Sequence, residues 1–342
     1  MPSTESGMSD SGEFVQRIKP FRRELLAHCY RMLGSVDDAE DVVQETYLRA
    51  WRAEGTFEAR ASLRAWLYKI ATNACLTALE QRQRQRRALP SGLGAPSRDP
   101  HAAPVFAGPE VDWVEPIPDA LVSSESDDPG AIAVSRQDLR LALIASWQHL
   151  PSRQRAVLLL REVLAFSAEE VAEMLDITAA AVKSMLQRAR ARLDEVMPAA
   201  EDVREPTAPE ARALLDRYIA AFESSDAAAI EQLLCEDATL EMVPAITWFS
   251  GKTTCAPYIV HHALGSPGEW RMAPTRANGQ LATIAYRRGE DGVHRAFGVA
   301  VLSFGAGGIA RIVLFADPEL VARFEGPVAD GLIHHTGSDP VS

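Results

Sequence analysis

Two consecutive amphipathic stretches between Asp37 and Arg87 constrain this chain more than any other feature. In the first, Ala39, Val42, Val43, Thr46, Tyr47, Ala50 and Trp51 recur at helical spacing, and Asp41, Gln44, Glu45 and Arg49 fall off that stripe. The spacing predicts a helix with one face buried and a polar face outward. Gly55 breaks it. A second helix is expected from about Ser62, burying Leu63, Trp66, Leu67, Ile70, Ala74 and Leu79. Arg64, Lys69, Thr72, Asn73 and Thr77 are left outside, and the helix runs on into Arg82, Arg84, Arg86 and Arg87. From 61 to 87 six basic residues face one acidic residue, Glu80, a local charge of +5 in a chain of net charge −12. Concentrated positive charge in an acidic chain is a footprint for phosphate. Alone, the same run also fits a solvated basic helix end.

An opening helix over 13–34 precedes this pair, with Phe14, Ile18, Phe21, Leu25, Leu26, Cys29, Met32 and Leu33 on its apolar side. Gly34 is placed to end it, and Ser35 or Asp37 to start the next. Residues 13–87 thus form one compact helical domain. The 342 residues are too many for one ordinary domain. Residues 1–12 read as a disordered lead without the basic start and apolar core of a signal peptide. No apolar run reaches 18 residues, so no membrane span is expected. Cys29, Cys75, Cys235 and Cys255 are scattered without metal-ligand spacing, so neither a metal site nor a cofactor is expected. Reduced thiols fit a cytoplasmic location.

Periodicity is lost over 88–135, which carries eight prolines and a net charge of −7. It reads as an extended linker. Val111–Asp119 stands out within it, because Trp113 sits between carboxylates. That pattern suits either a docking site or an aromatic folded back on a neighbouring domain. Over 136–197 helical spacing returns, and Ser167 to Glu170 has the form of a capping box. A short turn, Asp176-Ile177-Thr178, leads to a helix burying Val182, Met185, Leu186, Ala189 and Leu193. This is a helix-turn-helix pattern. Its second helix offers Ala180, Ala181, Lys183, Ser184, Gln187 and Arg188 to a major groove, with Arg190 extending the basic face. Gln187 suits a base edge, Lys183 and Arg188 phosphates.

A second linker over 198–207 leads to a separate α+β domain at 208–325, followed by a tail at 326–342. Its helices come first. Strands are expected over 239–243, 281–288, 293–304 and 309–316, curling into a cone. Met242, Trp248, His261, Trp270 and His294 are candidate pocket residues. Glu241, His261, His262 and His294 could supply an acid–base pair, although adjacent strand residues point to opposite faces.

The runs D-A-E-D-V-V-Q-E-T-Y-L-R-A-W and S-L-R-A-W-L-Y-K-I-A-T-N-A resemble the second conserved region of bacterial extracytoplasmic-function (ECF) sigma factors. L-P-x-R-Q-R and A-x-x-V-K-S-x-L-x-R-A-R-x-x-L resemble their fourth region. Asp176 departs from the usual turn glycine and Met185 from a common Arg. The W-x-E-P-x-P-D run (Trp113, Glu115, Pro116, Pro118, Asp119) resembles a linker signature of a subgroup with a C-terminal extension. Residues 208–325 resemble the SnoaL-like branch of the NTF2 fold. The resemblance implies a promoter-specificity subunit that does no chemistry: two all-α sigma domains, the second a helix-turn-helix, then an α+β NTF2-like cone. It implies core RNA polymerase (clamp and flap) and promoter DNA as partners, and no membrane. Asp41, Gln44, Glu45 and Leu48 would meet the polymerase. Arg64, Lys69, Asn73, Arg82 and Arg84 would handle the minus-ten element, and Ala180 to Arg190 the minus-thirty-five element. The acidic linker would thread the polymerase cleft. The last domain would regulate, through a small-molecule ligand or a regulator protein. Two other readings compete: a helix-turn-helix regulator with a ligand-sensing domain, which leaves 37–87 without a task, and a SnoaL-type enzyme fused to a DNA-binding unit.

Overall fold

The computed structural model describes residue 14 and residues 16–54, 62–81, 86–122, 137–196 and 208–325. The lead, the break at Gly55, Arg82, Arg84, the 198–207 linker and the 326–342 tail lie outside the described residues. Three helices open the fold: α1 (Arg22–Leu33), α2 (Val36–Arg52) and α3 (Leu63–Gln81). Gly34 ends α1 in the left-handed region at φ 73°, and its N–H donates to the Tyr30 carbonyl. Ser35 then caps α2 by accepting from the Asp38 N–H. Two residues thus stop one helix and start the next.

Burial corrects two expectations. Trp51, placed in the buried stripe of α2, is 50% exposed. Thr72, placed outside on α3, is fully buried, its hydroxyl 2.9 Å from His28 Nε2. Helix α3 packs on α1 and α2 and also on the helix-turn-helix, so its covered face is wider than one stripe.

The linker expected over 88–135 is an ordered strap from 86 to 122, and its remainder lies outside the described residues. The strap is extended, as its prolines dictate, but tied down along its length, and it ends in the single turn α4 (Asp119–Val122). The next helices are α5 (Leu141–Trp147), α6 (Ser152–Leu158, continued by a π turn to Val163), α7 (Ala168–Leu175) and α8 (Ala179–Val196).

The last domain begins with α9 (Ala208–Ser224) and α10 (Ala227–Leu233). Its strands are β1 (Leu234–Val243), β2 (Trp248–Ser250), β3 (Trp270–Ala277), β4 (Gln280–Arg288), β5 (His294–Gly305) and β6 (Gly308–Phe315). Helix α11 (Lys252–Tyr258) follows β2, and α12 (Pro318–Phe324) follows β6. The sheet order is β2-β1-β6-β5-β4-β3, parallel between β1 and β6 and antiparallel elsewhere. All four expected strands are present; β2 and β3 were not foreseen. Pro274 lies in β3, an edge strand, where a missing N–H is tolerated.

The sheet has two apolar faces. One, with Leu240, Ala285 and Leu302, packs inward against α9, α10 and α11. The other, with Ile284, Val299, Val301 and Phe315, joins a core that runs through the strap, α12 and both helical modules. The cone therefore shares a core with the rest of the chain.

Candidate nucleic-acid and polymerase interfaces

The outer face of α2 is open. Val42, Val43, Thr46 and Ala50 are buried, which turns Asp41, Gln44, Leu48 and Trp51 to solvent. Glu45 is half-buried and pairs with Arg49 at 2.7 Å, one helical turn away. An acidic-polar row beside two exposed apolar side chains can dock another protein.

The second helix of the helix-turn-helix is also open. Ser167 and Glu170 form the expected capping box, and Thr178 caps α8 by accepting from Ala181 N–H at 3.1 Å. Between them Asp176 takes the left-handed conformation at φ 52°. That explains why a glycine suits this turn and why Asp can replace it. Ala180, Lys183, Ser184, Gln187 and Arg188 are exposed and Ala181 is half-buried. Lys183 and Arg188 make no ion pair among the described residues. Arg190 is exposed but paired with Glu162 at 2.5 Å.

Helix α3, expected from the sequence to meet the minus-ten element, is different. Arg64, Lys69 and Asn73 are all half-buried. Arg64 lies 4.9 Å from the ring centroids of Tyr68 and Phe166, and 3.3 Å from a Glu24 carboxylate oxygen. Asn73 Nδ2 donates to the Met174 carbonyl of α7 at 3.3 Å. The helix-turn-helix thus packs its back against the side of α3 that carries these residues. Arg155 clips the two modules together. Buried, it donates to the Met32 carbonyl of α1, to Gln148 Oε1 at 2.5 Å and to the Leu150 carbonyl at 3.2 Å. Burial pulls its guanidinium down to about 10. Beneath α3, burial and the nearby Arg31 and Arg64 cations push His28 down to about 3, so it is held neutral.

The strap signature meets both helical modules and the cone. Trp113 is half-buried, and its carbonyl accepts from Arg87 at 2.8 Å. The Glu115 carboxylate accepts from Val36 N–H at 2.9 Å, beside Arg87 at 3.4 Å and Arg323 at 3.9 Å. Pro116 and Pro118 are buried. Asp119 pairs with Arg276 at 2.9 Å and accepts from Gly279 N–H at 2.7 Å. The aromatic anchor is thus folded back within the chain.

Asn278 closes this junction. It sits at φ 56° in the two-residue Asn-Gly turn between β3 and β4, the sequence such a turn favours. Fully buried, it exchanges two hydrogen bonds with Ile117, both 3.0 Å. Its Nδ2 donates to the Tyr30 hydroxyl of α1 at 2.7 Å and to the Leu139 carbonyl, before α5, at 2.8 Å. One side chain thus joins the first helical domain, the strap, the helix-turn-helix module and the cone.

A cavity of about 280 Å³ opens inside the cone. Of the five pocket candidates, Met242 and Trp270 line it. Trp248, His261 and His294 do not. Trp248 Nε1 donates to the Gly94 carbonyl at 2.8 Å, His261 stacks edge-on His101, and His294 Nε2 lies 3.2 Å from the Gly268 carbonyl. Strand alternation sends Met242 inward and Glu241 outward. There Glu241 accepts from Ser91 N–H at 2.8 Å and from Arg311. No His–carboxylate pair forms among the described residues. Nor do three or more His, Cys, Asp or Glu gather there as a metal site. No described helix is long and apolar enough to cross a membrane.

Sequence reading missed Asn278, Arg155 and Phe166. The Asn-Gly pair between alternating runs did mark a turn, but nothing local showed what the turn would enter.

Comparison with known proteins identifies the two helical modules. A family model for sigma-70 region 2 matches residues 18–85, and one for sigma-70 region 4 matches residues 140–193. The ECF RNA polymerase sigma factor SigG of Mycobacterium tuberculosis is 47% identical over 318 residues, 92% of this chain and 84% of its own. SigJ of the same organism is 28% identical over 225 residues, 66% of this chain and 63% of its own. The crystal structure of M. tuberculosis SigJ matches with a TM-score of 0.58 at 24% identity, covering 91% of this chain and 99% of that one. That match shows a shared fold from the helical modules through the C-terminal cone. The chain belongs to the extracytoplasmic-function sigma factors of RNA polymerase.

Proposed function

We propose that α2 carries the polymerase contact, through Asp41, Gln44, Glu45 and Leu48. Helix α3 and the residues after it handle the minus-ten element, with Arg64, Lys69, Asn73, Arg82 and Arg84 in contact. Helix α8 reads the minus-thirty-five element with Ala180, Ala181, Lys183, Ser184, Gln187, Arg188 and Arg190. The described conformation is a restrained one: the helix-turn-helix covers the side of α3 that must meet DNA, and the cone and strap lock that arrangement. The observation that carries this reading is Asn278, whose bonds to Tyr30, Ile117 and Leu139 tie the cone to both helical modules at once. The cone acts in cis as a regulator, not as an enzyme. The use of Glu241 to hold the strap supports the regulatory role. The working compartment is the cytoplasm, where the polymerase and its promoters are.

Asn278→Gly tests the restraint, because glycine keeps the left-handed turn and removes only the side-chain bonds. With core polymerase, the variant is expected to open a minus-ten element several-fold faster than the parent chain, in a permanganate or fluorescence opening assay. Its affinity for a duplex bearing only the upstream element should not change. Slower opening would mean that the cone holds the two readers in a productive arrangement, and the inhibitory reading would be lost.

A further inference from the structure

The cavity in the cone has one wall that the cone does not supply. Pro104 and Phe106 of the strap form it. Backbone pairing to the β1–β2 loop holds them there: Ile246 N–H donates to the Val105 carbonyl at 2.8 Å, and Ala107 N–H to the Pro244 carbonyl at 3.1 Å. Val105 N–H donates to Thr247 Oγ1 at 2.8 Å. Yet Phe106 is 65% exposed, beside Val105 at 56% and Ile246 at 38%. A large aromatic at the rim of an apolar cavity is placed to fold over an occupant.

The interior restricts what that occupant can be. Phe222, Met242, Tyr258, Trp270 and Phe297 give it an apolar, aromatic lining. The cation at its edge, Arg287, is already neutralised, with Nε 2.9 Å from Glu269 Oε1 and the guanidinium packed over the Trp270 ring. Two hydroxyls of the lining, those of Tyr218 and Tyr258, make no hydrogen bond among the described residues. Tyr218 is 4% exposed. A cavity-lining hydroxyl in that condition favours a ligand that completes it.

We infer that this cavity binds a neutral, largely apolar small molecule with one hydrogen-bonding group for Tyr218, and that Phe106 closes over it. The cavity measures about 280 Å³. It suits one or two fused rings. The regulatory consequence rests on the restraint proposed above. Phe106 and the Trp113–Asp119 segment belong to the same strap, so an occupant that draws Phe106 inward changes the hold on α1 and on the helix-turn-helix. Binding itself does not depend on that reading.

2-Naphthol, a neutral bicycle with one hydroxyl, is the probe, titrated by calorimetry into the full chain without polymerase or DNA. Saturable one-to-one binding is expected. Tyr218→Phe should weaken it about threefold to tenfold, the net effect of one hydrogen bond. Phe106→Ala, at an exposed position that does not endanger folding, should weaken it too. Amide exchange over 105–107 should slow when the probe binds the parent chain. Absence of saturable binding, or binding that neither substitution alters, overturns the site. Binding that leaves exchange over 105–107 unchanged overturns the closing role of Phe106. No transcription is measured, so failure here leaves the restraint standing, and failure of the restraint leaves the site standing.

Discussion

Helices α8 and α3 are the two surfaces we propose to meet DNA, and the fold treats them oppositely. On α8, Lys183, Ser184, Gln187 and Arg188 are solvated. On α3, Arg64 lies against Tyr68 and Phe166, and Asn73 donates to Met174. The difference follows from what each helix needs to be stable. Helix α8 buries Val182, Ala189 and Leu193 on one side and needs no further cover. Helix α3 is flanked by apolar side chains on two sides, and the helix-turn-helix satisfies the second. The upstream reader can therefore dock as it stands. On that proposal α3 must first be uncovered, so any free energy that holds the modules together opposes that step alone.

The largest way to break the contrast is acid. Folded His28 takes a proton only near pH 3, because burial and two nearby arginines oppose it, whereas an unfolded imidazole takes one near 6.5. Between those values the unfolded state binds more protons, so stability is full above about pH 6.5 and falls as pH drops towards 3. This one group accounts for on the order of 4 kcal/mol across that window. Urea midpoints measured from pH 7 to pH 4 should fall accordingly, and a flat profile would remove His28 as the support under α3. Next in size is Arg155→Ala. It strips hydrogen bonds from the Met32 and Leu150 carbonyls and from Gln148. A loss of about 2–4 kcal/mol in denaturant titration is expected, with amides in α3 exchanging faster and those in α8 little changed. Equal acceleration in both helices would erase the contrast.

Arg188→Ala sharpens the contrast from the other side. An exposed phosphate contact should weaken binding to the upstream element and reduce the log–log salt slope by about 1. It should leave minus-ten opening unaltered once the complex is saturated. The smallest effect belongs to Arg323→Ala. Its pair with Asp37, at 2.5 Å, is partly solvated on both sides. Thermal unfolding should register less than about 1 kcal/mol. A larger loss would show that α12 is a main clamp on α2.

Local features were legible because local chemistry sets them. Gly34, Ser35 and the Ser167–Glu170 box each act within four residues of themselves, and each stands where its spacing placed it. The polar face of α2 and the outward side of α8 followed from helical period alone. Trp51 and Thr72 were misassigned because the period tells which residues share a face, not how many neighbours that face will meet. The strap read only as an extended linker because prolines exclude helix and sheet without saying whether an extended chain is free or pinned. The continuous apolar runs of β5 and β6 carried a signal of burial on both sides, yet nothing in them named the cover. The cover, the cavity wall at Phe106 and the Asn278 junction were decided by tertiary structure alone. Asn278 lies 248 residues from Tyr30 and 161 from Ile117. An asparagine in a turn looks the same in sequence whether water or three other segments complete its hydrogen bonds.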